Sequence, residues 1–354
     1  MSTSLYVPYS TLIEFVIQTL SSLGMSGSDA RQTAEVLVTT DAMGVHTHGT
    51  KLLVGYLKKL KHGGYQAQAV PTIEREGLAW AIVDGKSALG MIGSIFAVKL
   101  AMAKARNCGI AYCGLRNTGH VGAIGYYAAM AAREGFIASV TGNDIPSVAV
   151  PGSKKAVLGS NPIAYGIPVA AGDPILLDMA TAAVAGGKVY AAHQRGEAIP
   201  PHWLIGPDGK PTTDGTLYPS QASLAPMGGH KGYGIGLWCE MLSAVLPGGN
   251  MTWQVGSWMF DDPKLPSCHN ASFVLFDVAA MSDRRQFDQR VKHLIDEIHA
   301  TPTAADVERV QLPGEREWRE YHRAMELGVQ LPSDVLEKLK QAADLCSLQP
   351  EWLP

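Results

Sequence analysis

The sequence predicts an α/β protein of one large domain or two intertwined domains, with a substantial core. Three observations support this fold class. Apolar residues recur at helical spacing in several segments, short β-type runs separate those segments, and 46% of the 354 residues are hydrophobic, which is enough for a substantial core. Polar residues also follow several of the predicted strands, the position at which α/β enzymes place their ligand clefts.

Helices open the chain. Thr11 and Glu14 have the spacing of a capping box at the start of the first helix. Ser28 is a candidate N-cap for a second helix over residues 29–43, and Gly44 is suited to end it because glycine readily adopts a left-handed conformation. A short amphipathic helix with Leu52, Leu53, Tyr56 and Leu60 follows.

Strands and helices alternate through the rest of the chain. The predicted strands cover 79–84, 110–115, 136–141 and 272–277, and a tight loop at 159–162 leads into the segment 164–168. The run 174–181 begins as a buried strand and leads into an acidic end and a helix. The predicted helices cover 91–107, 120–135, 235–246, 283–299 and 318–348. The segment 195–223 has turn residues and little periodicity, which indicates an irregular excursion over the surface or around a site.

Composition excludes several classes of protein. The net charge is −3 and the basic clusters are short, so we expect no nucleic-acid partner. Neither a secretory signal nor an apolar run of about 18 residues is apparent, so we expect no membrane association. The five cysteines show no Cys-x-x-Cys pair, which favours reduced thiols in the cytoplasm over disulfides.

Histidines beside glycines are the candidate chemical groups. They occur in His46-Thr47-His48-Gly49, Gly119-His120-Val121-Gly122 and Gly228-Gly229-His230-Lys231-Gly232. Histidine titrates near neutral pH, and glycine allows close approach to a ligand. We predict His120 at the start of a helix, where the positive helix end would lower its pKa; the alternative is that it only caps that helix.

Other motifs are less specific. Asp178 follows a predicted strand, and the glycines around Lys231 could hold a phosphate or carboxylate. That segment fits neither a P-loop nor a dinucleotide fingerprint. No His-Glu-x-x-His pair or Cys/His knuckle occurs, so we expect no metal site.

Six motifs together resemble the type-2 malate/L-lactate dehydrogenase family, over about residues 8–345. They are Asp41-Ala-Met-Gly-Val-His-Thr-His-Gly49, Gly119-His-Val-Gly-Ala-Ile-Gly-Tyr-Tyr127, Gly159-Ser-Asn-Pro162, Leu177-Asp-Met-Ala-Thr181, Gly228-Gly-His-Lys-Gly-Tyr-Gly234 and Leu312-Pro-Gly-Glu315. The resemblance implies an NAD or NADP enzyme without the Rossmann fold, built on a mixed, largely antiparallel sheet wrapped by helices, and a homodimer. Its substrate would be a small-molecule 2-hydroxy or 2-oxo acid.

The resemblance also implies roles for particular residues. His120 would be the acid/base, with His48 as the second catalytic histidine, and Thr47, His48, Lys51, Tyr56 and Lys231 would bind the substrate. The cofactor would contact His120, Gly122, Ala123, Ile124, Asp144, Asp178, Met179, Ala180, Lys231, Gly232, Pro313, Gly314 and Glu315. We expect residues 1–75 and 300–354 to form a helical substrate and dimer domain, and residues 76–299 to form the sheet and cofactor domain.

The chain departs from the family where substrate specificity is decided. Many members have an arginine four residues after the second histidine, and Leu52 stands there in this chain. Either another cation such as Lys231 binds the substrate carboxylate, or the substrate is larger or less acidic than malate. Reduction of a cyclic imine carboxylate, and nucleotide binding without catalysis, are the alternatives. The choice between NAD and NADP is open, because Arg316 would attract a 2′-phosphate that Glu315 would repel.

Overall fold

The computed structural model describes residues 5–353. Helices make up much of the described chain. Within the described residues they are α1 (Tyr9–Ser22), α2 (Gly27–Ala42), α3 (Leu53–His62), α4 (Gly90–Cys108), α5 (Gly125–Arg133), α6 (Gly186–Gln194), α7 (His230–Glu240), α8 (Val278–Met281), α9 (Arg284–His299), α10 (Glu315–Leu327) and α11 (Ser333–Leu345). A 3₁₀ turn, Thr50–Leu52, precedes α3, and a π-helical stretch, Met241–Val245, continues α7.

The strands form three sheets. In chain order the described strands are β1 (Leu5–Val7), β2 (Thr72–Glu76), β3 (Trp80–Asp84), β4 (Ile110–Thr118), β5 (Phe136–Gly142), β6 (Val148–Ala149), β7 (Ala156–Leu158), β8 (Ile163–Ile167), β9 (Ile175–Met179), β10 (Leu204–Ile205), β11 (Pro211–Thr212), β12 (Ser223–Leu224), β13 (His269–Asp277) and β14 (Val329–Leu331). The main sheet has the order β2-β3-β4-β13-β5-β8-β9. A second sheet has the order β11-β10-β12-β6-β7, and β1 pairs with β14.

The main sheet is mixed and largely antiparallel. Its strand pair β3–β4 is parallel, whereas each of its other neighbouring pairs runs antiparallel. This confirms the predicted fold class. A central strand such as β13 is buried along most of its length, because helices cover both faces of the sheet.

Packing on the two faces of β4 shows why its side chains alternate. Ala111, Cys113 and Leu115 are buried in the main core, on the side that α4 covers. Tyr112 points the other way, and its hydroxyl donates to the carbonyl of Leu242 in the π-helical stretch at 2.7 Å. The period of two is the signature of a strand between two layers.

The antiparallel direction of β13 brings three chain segments to one edge of the sheet. His269, at the start of β13, pairs with Thr118 at the end of β4. Ala271 pairs with Gly142 at the end of β5. The residues that follow β4 and β5 therefore meet the residues that precede β13, and this edge contains the site described below.

The helix caps differ from those predicted. Ser26, not Ser28, caps α2: its hydroxyl accepts from the Asp29 amide at 3.1 Å, so the helix begins two residues earlier. The predicted capping box at Thr11 is also wrong. The chain turns into α1 at Pro8, whose fixed φ suits a helix start, and Thr11 lies within the first turn.

Two longer elements also differ from prediction. β4 extends to Thr118 because it finds partners on both sides, and α5 begins only at Gly125, so His120 does not lie at a helix start. The C-terminal segment predicted as one helix is split at Gly328, where φ is +94° and β14 pairs with β1. Segment 195–223 contributes β10, β11 and β12 to the second sheet.

None of the helices in the described part of the chain combines the length and the apolar character needed to cross a bilayer.

Candidate active site

An open cleft of about 2210 Å³ lies at the edge of the main sheet where β4, β5 and β13 meet. This exceeds the roughly 300–1,000 Å³ of a typical small-molecule pocket, so the cleft has room for an extended ligand together with a small one. Its walls include most of the predicted site residues. These are Thr47, His48, Lys51, His120, Gly122, Ala123, Ile124, Asp144, Asp178, Met179, Ala180, Pro313 and Gly314.

His120 lies at the base of the cleft and is only 9% exposed. The Tyr56 hydroxyl lies 2.7 Å from its Nδ1, and the Gly122 amide donates to the same nitrogen at 3.3 Å. Because a backbone N–H can only donate, Nδ1 is an acceptor and the proton of the neutral ring is on Nε2. In this resting state Nε2 is therefore the nitrogen that carries the ring proton.

Burial controls the charge of His120. It lowers the pKa well below the ordinary value of 6.5, and the neighbouring His269 lowers it further, against the opposing effect of Asp144. The ring is therefore neutral at physiological pH. The neutral state agrees with the prediction, but its cause does not. A helix end was predicted to lower the pKa of His120, whereas α5 begins five residues later and burial lowers the pKa instead.

Aromatic rings enclose His120. The ring centroid of Trp258 lies 5.0 Å from it and that of His48 lies 6.0 Å away in a stacked arrangement. Trp258 also packs on α3 at Gly55, where a Cβ would come within 2.6 Å of the indole. No pattern in the sequence around Trp258 predicts its contact with a residue 138 positions earlier.

The turn that carries His48 is folded around the buried carboxylate of Asp41. Its oxygens accept from the Thr50 amide at 2.8 Å and from the Thr50 hydroxyl at 2.6 Å, and His46 Nδ1 lies 3.1 Å away. A Cβ at Gly49 would lie 2.0 Å from the same carboxylate, so only glycine fits there. Asp41 thereby directs His48 toward the cleft.

Asp178 connects the other wall of the cleft to a helix start. The Gly125 amide donates to its carboxylate at 2.7 Å, so Asp178 caps α5 from the end of β9. Met179 and Ala180 continue along the cleft, opposite Gly122 and Ile124.

Four predicted site residues lie elsewhere. Tyr56 is fully buried behind His120, so it contacts the histidine and not the cleft. Lys231 and Gly232 lie in the first turn of α7, which begins earlier than predicted, and neither lines the cleft. Glu315 is turned away, with its carboxylate 2.8 Å from His299 and 2.6 Å from Arg309.

Lys51 lines the cleft but is already paired. Its Nζ lies 2.6 Å from the carboxylate of Asp334 at the start of α11. Across residues 5–353, no group of three or more His, Cys, Asp and Glu side chains converges in a way that would hold a metal ion.

The malate/L-lactate dehydrogenase family model matches residues 7–340. The chain belongs to the malate/L-lactate dehydrogenase family. Its relatives include a malate dehydrogenase of Pyrococcus abyssi, 34% identical over 95% of this chain and 94% of that protein. A Δ1-pyrroline-2-carboxylate/Δ1-piperideine-2-carboxylate reductase of Pseudomonas putida is 32% identical over 96% of this chain and 97% of that one.

The fold agrees with that membership. The crystal structure of malate dehydrogenase from Entamoeba histolytica superposes with a TM-score of 0.91 at 26% identity, covering 99% of this chain and 100% of that one. The resemblance drawn from the six motifs is thus confirmed. This member of the malate/L-lactate dehydrogenase family is an oxidoreductase, and the cleft is its candidate active site.

Proposed function

We propose that His120 exchanges the proton in an NAD(P)-dependent interconversion of a 2-hydroxy acid and its 2-oxo acid. The single observation behind this role is the placement of the ring: it is neutral, it lines the cleft beside His48, and its Nδ1 is paired with Tyr56 and Gly122, which leaves Nε2 for the substrate. Nε2 takes up the substrate proton when the ring's own proton lies on Nδ1, with the Tyr56 hydroxyl turned to accept it, and the imidazolium so formed returns the Nε2 proton in the reductive direction. Malate/L-lactate dehydrogenase family membership supports the reaction class.

The residues of the cleft fit a nicotinamide dinucleotide. Gly122 has φ +69° and Gly314 has φ +91°, and both let the main chain line the cleft without a side chain. At Gly314 a Cβ would lie 2.8 Å from the carbonyl of Leu176. Gly122, Ala123, Ile124, Asp144, Asp178, Met179, Ala180, Pro313 and Gly314 would hold the cofactor, which supplies or removes the hydride when bound.

The charges near α10 are balanced and are compatible with both NAD and NADP. The carboxylate of Glu315 is paired with Arg309 at 2.6 Å and does not line the cleft. Arg316 lines the cleft, but its guanidinium is paired at 2.6 Å with Glu317, which lines the cleft as well. Turnover measured with NADH and with NADPH at equal concentration decides between the two cofactors.

The substrate carboxylate needs a cation other than an arginine at position 52. Leu52 is 7% exposed and apolar, and Lys51 is held by Asp334. Lys58 is an exposed residue of α3, seven residues after Lys51, and also lines the cleft. We therefore assign the carboxylate contact to Lys58, with Thr47 and His48 beside the substrate oxygen.

Reduction of a cyclic imine carboxylate is the second candidate. The anionic carboxylate of Asp144 lies in the cleft wall and interacts electrostatically with His120, an environment that would favour a protonated imine. One of the relatives is such a reductase by name.

Homodimer formation is supported by an apolar surface beside the cleft. Leu237, Trp238, Met241 and Val245 share one face of α7 and its π-helical continuation, and all are exposed. The following loop adds exposed Trp253, Met259 and Phe260, which also line the cleft. A second copy on this surface would cover both the apolar side chains and the open side of the cleft. All five cysteines are free, which supports a reducing compartment such as the cytoplasm.

The reaction is tested by following the reduced-nicotinamide absorbance with malate, lactate, ureidoglycolate and piperideine-2-carboxylate. Turnover of a 2-oxo or 2-hydroxy acid is expected. Turnover of the imine alone would favour the second candidate. Cofactor binding by calorimetry without any turnover across the panel would instead favour nucleotide binding without catalysis.

A further inference from the structure

A chain of hydrogen bonds leads from the main chain of His120 to the carboxylate of Asp144. The His120 amide donates to the Tyr65 hydroxyl at 3.1 Å, and that hydroxyl lies 2.8 Å from the Ser267 hydroxyl. Ser267 Oγ lies 2.9 Å from His269 Nδ1, and His269 Nε2 lies 3.2 Å from Asp144 Oδ1. The chain passes through the imidazole of His269.

For a neutral His269, the Asp144 end of this chain sets the direction of every bond in it. The ionised Asp144 can only accept, so the ring proton of His269 is on Nε2 and its Nδ1 is an acceptor. Ser267 therefore donates to His269 Nδ1, Tyr65 donates to Ser267, and the Tyr65 oxygen accepts from the His120 amide.

The inner links of the chain are shielded from water, whereas Asp144 reaches the cleft. Tyr65 is 1% exposed, and Ser267 and His269 are fully buried. Burial acts against an ionised Asp144, but the hydrogen bonds from His269 and from the Ile145 amide outweigh it and keep the pKa of Asp144 low. Ser160 donates to the other carboxylate oxygen at 3.2 Å.

His269 also packs directly on His120. The two rings lie 5.4 Å apart at 86°, edge to face. The His269 imidazole thus acts on His120 in two ways. It packs against the His120 ring, and it belongs to the hydrogen-bonded chain that reaches the His120 main chain.

We propose that His269 is a positioning residue for the reaction at His120: it bridges Asp144 in the cleft wall and the Ser267–Tyr65 hydroxyls that hold the His120 main chain. This inference rests on the proposed role of His120. Positioning effects of this kind can cost about 100-fold in rate for a displacement of about 1 Å.

The test compares variants of the full-length enzyme at saturating cofactor. His269→Leu removes both bonds, and kcat for the preferred 2-oxo acid should fall about 10- to 100-fold with KM changed by less than about threefold. His269→Gln keeps an N–H that reaches Asp144 and should recover most of that loss. Tyr65→Phe combined with His269→Leu should be no slower than the slower single variant, because both cut the same chain.

Ser272→Ala is the matched control. Ser272 lies on the same strand, is equally buried, and pairs with Thr141 at 2.7 Å outside the chain. The Ser272→Ala substitution should lower the melting temperature and leave kcat unchanged. If His269→Leu does not fold, Ser267→Ala replaces it and should slow turnover in the same way. A wild-type kcat in His269→Leu or in Ser267→Ala would overturn the proposal. A loss of kcat in Ser272→Ala as large as theirs would overturn it as well.

A second readout is independent of activity. In protein labelled with ¹⁵N-histidine, the spectrum of His269 should show an unprotonated Nδ1 and a protonated Nε2 at neutral pH, and Tyr65→Phe should shift the His120 signals. A protonated Nδ1 would overturn the proposal even if the enzyme is active. If no substrate turns over but this spectrum is found, the proposed reaction fails and the hydrogen-bonded chain stands.

Discussion

The hydroxyl of Tyr56 lies 2.7 Å from Nδ1 of His120, across 64 residues of sequence, and both groups are buried. Burial raises the pKa of Tyr56 well above 10, so its phenol keeps its proton and donates it in this bond. The bond holds the ring so that Nε2 carries the exchangeable proton. Tyr56 is thus a partner of the histidine proposed as the acid/base, and it does not line the cleft.

Removing the Tyr56 hydroxyl should slow the enzyme. A bond of this kind contributes about 0.5–1.5 kcal/mol, so Tyr56→Phe should lower kcat about 2- to 10-fold. Tyr112→Phe is the control, because its hydroxyl bonds a main-chain carbonyl on the other face of the sheet. Steady-state kinetics of the two variants decide the matter. Equal rates in both would show that the Tyr56 hydroxyl has no special role.

The pH dependence of activity should reflect the lowered pKa of His120. Oxidation of a 2-hydroxy acid needs a neutral ring whose Nε2 is free to accept the proton, and protonation of the ring removes that form, so the acid limb of kcat/KM should lie below about pH 6.5. The groups facing the ring are His48, His269, Asp144 and Tyr56. An acid limb at or above pH 7 would contradict the assignment of a buried, neutral histidine.

Stability should follow the same titration. The folded pKa of His120 lies below its unfolded value, so its contribution is complete above about pH 6.5 and is lost as pH falls toward the folded pKa. Urea unfolding at pH 7.5 and 5.5 measures this. Wild type should lose more free energy of unfolding on acidification than His120→Asn, and an equal loss in both proteins would count against the desolvation argument.

Substrate choice should respond to position 52. An arginine there can bind a carboxylate with two hydrogen bonds, which leucine cannot. Leu52→Arg should therefore raise kcat/KM for malate relative to lactate, with Leu52→Met as a control for packing. An unchanged ratio, in protein that melts as wild type does, would show that this turn of the chain does not contact the acid.

The apolar surface on α7 should mediate self-association. Trp238 is 58% exposed in the middle of that surface, and Trp238→Glu places a charge there. Sedimentation should show a dimer for wild type and a monomer for the variant. Leu78→Glu, at an equally apolar but isolated and 87% exposed position, should stay dimeric. A monomeric wild type, or a dimeric Trp238→Glu variant, would show that this surface does not mediate self-association.

Periodic patterns made much of the fold predictable. The helix predicted over 283–299 agrees with α9, whose N-cap is Asp283. It was predictable because an amphipathic stripe and a capping carboxylate are both local signals. The order of motifs was enough to identify the malate/L-lactate dehydrogenase family and to place most of the cleft residues, since loops between regular elements keep their positions in a shared fold.

Long-range contacts account for what the sequence did not reveal. Lys51 is paired with Asp334, 283 residues later, and no pattern around either residue indicates this. Lys231 looked suited to a ligand because glycines flank it, but α7 already begins at His230 and directs it to solvent. The partners of His120 are likewise distant in sequence, so its neutral state was predicted from a helix end that it does not occupy.

The central claim, that His120 exchanges the proton in the cleft, is tested most directly by His120→Asn. Turnover should be followed by nicotinamide absorbance, and cofactor affinity by calorimetry on the same preparation. General acid–base catalysis contributes about 100- to 10,000-fold, so kcat should fall by that factor while the cofactor Kd changes by less than about threefold. Equal loss of turnover and cofactor binding, or wild-type turnover, would contradict the claim.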